Sequence, residues 1–149
     1  MPSQIKVDEI KNVAGQYKIK TDTFEGQTTA GSIAVQGEGT ATTNLQQGVA
    51  KAWINYDATA SSDYTRDSFN VASTTDANTG THEIAFSNNM ANVNYAGMTN
   101  GHRDDNQAIS IFQGEGNTTS QFRFRLNAHT SGTNTDTDSA FGAIYGDLA

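Results

Sequence analysis

The sequence predicts an all-β protein, with a β-rich N-terminal stem followed by a small antiparallel β-sandwich head. Three observations predict it. Apolar and polar residues alternate with period two in one segment after another, which puts apolar side chains on a single face of a strand. Threonine, asparagine, glycine and serine dominate a chain of 149 residues whose single proline is Pro2, a composition that favours turns and short strands over helices. Clusters of turn formers separate the alternating segments at short intervals, as they do in sandwiches. With 35% hydrophobic residues the chain can fill one modest core. The aromatic residues concentrate from Trp53 onward, and the first fifty positions offer only Tyr17 and Phe24.

Residues 3–10, with Ile5 and Val7, and residues 16–20, with Tyr17 and Ile19, alternate on either side of Gly15, and residues 32–36 repeat the arrangement. Each segment presents only two or three apolar side chains. At roughly 1.5 to 3 kcal/mol for each buried Ile or Val, their burial is small beside an ordering cost of about 1 to 2 kcal/mol per residue. Something else must cover these faces. Three identical copies around an axis would do so and would bury the strand edges; the alternative is an N-terminal arm that orders only on docking. Residues 37–44, rich in turn formers, form the candidate linker, and Thr43 or Asn44 can cap a short helical joint in which Leu45 and Val49 share a face. That joint either meets its copies on the axis or covers the base of the head locally. Ile5, Val7, Ile19, Leu45 and Val49 are the expected oligomer-interface residues.

The head begins at about Val49, so the chain divides into residues 1–47 and 48–149. In its first strand Ala50, Ala52, Ile54 and Tyr56 share one face, with Lys51, Trp53 and Asn55 on the other. One face should meet the core and the other a neighbouring chain or sheet. Residues 66–71, with Phe69 and Val71, return as a second strand, and Ile84 with Phe86 makes a third after the turn at 76–80. Ile109 and Ile111 mark a fourth. The clearest alternation is at 121–127, where Phe122, Phe124 and Leu126 point inward and Arg123 and Arg125 outward, and a last strand covers 140–146. Polar loops at 57–65, 88–94, 99–106 and 128–138 join the strands. Loops on a rigid scaffold are where binding specificity usually resides, and Tyr64, His102, Arg103 and Asp104 are the side chains in them best suited to contact sugars or the surface of a partner protein.

A net charge of −7 opposes nucleic-acid binding, whose affinity comes largely from cationic contacts with phosphates. The absence of cysteine excludes disulfides and thiolate metal sites. No apolar run approaches the roughly 18 to 20 residues of a membrane span, and the N-terminus lacks the order of a signal peptide, so a protein made in the cytoplasm without membrane insertion is expected. Asn134, Asp136 and Asp138 open like a calcium loop, but Ser139 and Tyr145 stand where glycine and the bidentate glutamate belong. A solvated loop is the simpler reading there, and also for Asp104 and Asp105 beside His102. His82, His102 and His129 lack metal-site spacing, and no Gly-x-Ser-x-Gly elbow occurs. Two carboxylates brought together by folding would leave no local signature, which keeps a polysaccharide-cleaving spike as a minor alternative. The expectation is a protein without catalytic activity, cofactor or metal. Trp53 and Tyr56 would make a sugar-stacking platform if exposed, although a lone tryptophan on an alternating strand is usually core or interface.

Lys51 to Asp57, Arg66 to Ser73, His82 to Phe86, Met90 with Tyr95 and Ala96, and the closing Phe141 to Asp147 together resemble a small all-β module at the ends of tail-fibre and other virion appendage proteins of tailed bacteriophages, marine and cyanobacterial ones among them. Lys18 to Gly26 is similar to the stems that precede it. The resemblance covers most of the chain and implies a non-enzymatic virion structural protein, assembled in the host cytoplasm. It implies a homotrimer whose N-terminal region binds other virion proteins and whose head loops touch a host surface polysaccharide or protein during adsorption. A capsid decoration protein, or a short tail or baseplate connector without a receptor, is the alternative.

Overall fold

A computed structural model describes Thr23 and residues 33–36, 39–60, 64–102, 109–113, 116–128 and 131–149. The expected strands at 3–10 and 16–20 lie outside the described residues. Among the described residues the protein is all-β apart from one helical turn. A small hairpin pairs β1 (Ala34–Gln36) with β2 (Thr42–Asn44), so the end of the expected linker is itself a strand. The helical turn α1 (Leu45–Gly48) follows directly, and the Asn44 side chain caps it by accepting from the Gln47 backbone N–H at 3.1 Å.

The head is an antiparallel sandwich built from one curled sheet. Its strands are β3 (Ala52–Tyr56), β4 (Thr65–Phe69), β5 (Val71–Asn78), β6 (Thr81–Phe86), β7 (Ala96–His102), β8 (Ile109–Gln113), β9 (Gln121–Ala128) and β10 (Ser139–Tyr145), in the order β4-β3-β10-β7-β8-β9-β6-β5. The halves β4-β3-β10-β7 and β8-β9-β6-β5 face each other across the core. On one side the sheet turns the corner where β7 and β8 share a single pair, Gly101 with Ile109. On the other, Asn70 joins the two edge strands in a left-handed conformation (φ 56°), which asparagine tolerates better than most residues. The Asn70 amide bridges the Lys51 and Asn88 carbonyls, and its carbonyl oxygen accepts from the Asn88 backbone N–H at 2.6 Å. The expected single strand over 66–71 is therefore two strands in opposite layers.

Period-two burial sets the core. Ala52, Ile54 and Tyr56 from β3 and Ala140 and Ile144 from β10 meet Ile84 and Phe86 from β6 and Phe122, Phe124 and Leu126 from β9. Arg125 is exposed as expected, and Arg123 pairs with Glu83, its register partner on β6, through an Nε to Oε1 contact of 2.6 Å. Strand β7 occupies residues expected to begin a loop. Its inward positions include Gly97, where an added Cβ would stand 2.5 Å from the Phe122 ring, so the missing side chain is what admits the phenyl group from the opposite layer. Lys51 also departs from expectation. It lies just ahead of β3, where the alternation has not begun, and is buried, its ammonium donating to the carbonyls of Gln46 and Val49 at the helical turn. Burial lowers its pKa, against the attraction of Asp147.

Candidate functional site

Of the side chains expected to make contacts, Arg103 and Asp104 lie outside the described residues, as do Ile5, Val7 and Ile19. Tyr64 stands just before β4, half-buried, and stacks on the Tyr56 ring at 5.7 Å between centroids, so only part of it faces solvent. His102 is the last residue of β7 and is exposed, while its backbone carbonyl accepts from the Thr137 hydroxyl. The two residues therefore sit in different settings and do not form a common loop surface. Leu45 and Val49 are both exposed on and beside the helical turn.

Two arrangements that the sequence did not announce emerge instead. The first is a polar network that runs from two buried rings to partly exposed carboxylates. The Tyr56 hydroxyl lies 2.5 Å from His82 Nδ1, and His82 Nε2 lies 3.2 Å from Asp136 Oδ1, which also accepts from the Gly80 backbone N–H at 2.6 Å. The tautomer that satisfies all of them carries its proton on Nε2, donates it to Asp136, and accepts from Tyr56 at Nδ1. Asp136 is thus not the solvated loop residue expected, because it ties the loop before β10 to the β5–β6 turn. Asp76 adds a second carboxylate 3.9 Å from Nδ1. One ligand atom each from Asp76, His82 and Asp136 lies within 4.8 Å of the others, a spacing that suits a cation. Both imidazole nitrogens are already engaged, however, so a metal would have to displace Tyr56 or Asp136.

Burial lowers the His82 pKa, while Asp136 and Asp76 oppose that shift, and burial foremost raises the Tyr56 pKa. A histidine held below its unfolded value of 6.5 contributes stability that is complete above that pH and is lost as pH falls through its folded pKa, because the unfolded chain binds the proton more readily. Urea midpoints should therefore be level from pH 7 to 8 and decline on acidification below about 6.5. His82→Gln should flatten that decline between the unfolded value and pH 5; an unchanged slope would exclude His82 as its source.

The second arrangement lies on the outer face of β4-β3-β10-β7. Trp53 is paired with Phe69 on one side and Ala143 on the other, and Ala143 with Met98, so Phe69, Trp53, Ala143 and Met98 form a row straight across four strands. The next row reads Asp67, Asn55, Phe141 and Asn100. Side chains that would suit a core are here in solvent, with Trp53 37%, Phe141 51%, Phe69 52% and Met98 61% exposed. A groove of about 380 Å³ runs between three of them, floored by Gly142 and Ala143 and walled by Trp53, Met98 and Phe141. Period-two alternation places Trp53 opposite the core face, but nothing in the sequence aligns residues 53, 69, 98 and 141, because only strand register does that. Comparison with protein-family models, curated proteins and solved structures finds no match to this chain.

Proposed function

We propose that the protein is a non-enzymatic recognition module of a bacteriophage virion, a tail-fibre or appendage head that contacts the host surface during adsorption. The observation that carries this reading is the outer sheet face. A sandwich whose core is already filled holds three aromatic rings and a methionine out in solvent, and exposed apolar patches of this kind mark interaction sites. In the polar network, by contrast, the Tyr56 and His82 rings have no exposed surface. The virion setting comes from the likeness of the strand segments to fibre-end modules. In this reading the protein acts as a homotrimer anchored to other virion proteins by its N-terminal region. Leu45 and Val49, exposed at the joint, supply apolar contacts between copies, and three heads offset the weakness of each single site.

Purified full-length protein should be trimeric by light scattering and should compete with intact phage for adsorption to host cells. Absence of competition at saturating protein would overturn the adsorption role, and a monomeric mass would remove the trimer from it.

A further inference from the structure

We propose that the groove on the outer face of β3, β10 and β7 is a binding site for a pyranose unit of an uncharged polysaccharide. This deepens the adsorption reading and rests on it only for the source of the sugar.

Shape comes first. Trp53 on β3 and Met98 on β7 are separated by β10, two inter-strand spacings or roughly 9.5 Å. The residue between them is Ala143, which leaves a slot with a flat floor. Its volume of about 380 Å³ lies within the roughly 300 to 1,000 Å³ of small-molecule sites.

The chemistry of the lining suits a sugar. One face of a pyranose ring presents polarised C–H groups, and these fit the electron-rich face of an aromatic ring; Trp53 and Phe141 offer two such rings. The sugar's edge carries hydroxyls that both donate and accept, and amide side chains answer both roles. Asn55 and Asn100 flank Phe141 in register on its two sides. Asn100 Oδ1 already accepts from the Gly101 backbone N–H at 2.8 Å, which leaves its NH₂ group to donate. Among the described residues no hydrogen bond engages the Asn55 side chain.

Charge and area narrow the occupant. All the residues lining the groove are uncharged, so nothing there selects an ionic ligand, and a chain of net charge −7 repels acidic saccharides. The patch is small for a self-interface. Taking roughly 150 to 250 Å² for a full aromatic side chain, the exposed parts of Trp53, Phe69 and Phe141 amount to about 300 Å². Adding Met98 still leaves it below the roughly 450 Å² that is the apolar share of what each partner buries in a stable protein complex.

Trp53 is the only tryptophan, so its fluorescence reports on the groove directly. Full-length protein should be titrated with glucose, galactose, dextran and a neutral galactan, with alginate as the acidic control. The expected result is a saturable blue shift with at least one neutral saccharide and none with alginate. Phe141→Ala should weaken that binding at least about tenfold. Trp53→Ala, followed by affinity electrophoresis, should do the same, and both variants should keep the wild-type circular dichroism because the rings they remove lie on the outer face, apart from the core. Failure of every neutral saccharide to bind at tens of millimolar would overturn the site, as would binding that both variants retain. Concentration-dependent association of heads that Trp53→Ala abolishes would also overturn it, by making the groove a contact between copies. Saccharide binding without competition against phage adsorption would leave the groove standing and remove the adsorption role; competition without saccharide binding would do the reverse.

Discussion

Phe122→Ala is expected to destabilise the head by about 3 to 5 kcal/mol, a large share of the roughly 5 to 15 kcal/mol that holds a domain folded. Phe122 is 1% exposed and crosses from β9 to the opposite layer, with the Tyr95 ring at 6.2 Å and the Phe124 ring at 6.1 Å between centroids. Its far edge rests where Gly97 has no Cβ. Truncation removes the buried ring and leaves a cavity bounded by strands that cannot all move in, so transfer and cavity costs add. The same geometry predicts an unusual coupling. Gly97→Ala alone forces a methyl group against the ring and should destabilise, whereas in the Phe122→Ala background it fills part of the vacated space. Urea denaturation of the two single variants and the double variant should show a coupling of about 1 kcal/mol or more. Strict additivity would mean that the two positions do not pack as described.

Gly80→Ala is expected to cost more than about 3 kcal/mol, a large effect for one methyl group. Gly80 closes the β5–β6 hairpin with φ at +66°, a conformation that costs an L-residue roughly 1 to 2 kcal/mol. An added Cβ would also stand 2.5 Å from the Leu126 carbonyl oxygen and 2.6 Å from the Thr135 nitrogen, both backbone atoms that cannot rotate aside. Relieving that clash separates the turn from β9 and from the 133–136 segment. It strains the Leu126 N–H to Gly80 carbonyl bond of 2.7 Å and the Gly80 N–H to Asp136 bond of 2.6 Å, each worth roughly 0.5 to 3 kcal/mol. Because Asp136 is also the partner of His82 and holds its pKa up against burial, moving Asp136 away should extend the acid-dependent decline in stability to lower pH while lowering the midpoint. A Gly80→Ala protein within about 1 kcal/mol of wild type would show that the turn can shift freely.

Where apolar residues alternate along one strand, the chain announces its own structure. Phe122, Phe124 and Leu126 against Arg123 and Arg125 identify β9 and its inner face, and Ala52, Ile54 and Tyr56 against Trp53 and Asn55 do the same for β3. Asn44 ahead of Leu45 marks the start of a helical turn by its ability to accept from a free N–H. Strand β7 gives no such signal, because its inward positions hold Gly97, Thr99 and Gly101 rather than large apolar residues, and the volume they omit is supplied by Phe122 from a distant strand. Asn70 reads as one more polar residue in a strand until its backbone is seen to turn the corner between layers.

Local pattern alone fixes the all-β class, the buried faces of β3 and β9, and the start of a helical turn at about Leu45. These properties depend on neighbours one to four positions away. The strand order, the burial of Lys51, the bond between His82 and Asp136, and the alignment of Phe69, Trp53, Ala143 and Met98 on one exposed face come from the assembled fold. Each of these depends on register between strands far apart in the chain, and register follows from how the whole set of side chains packs, which no local pattern encodes.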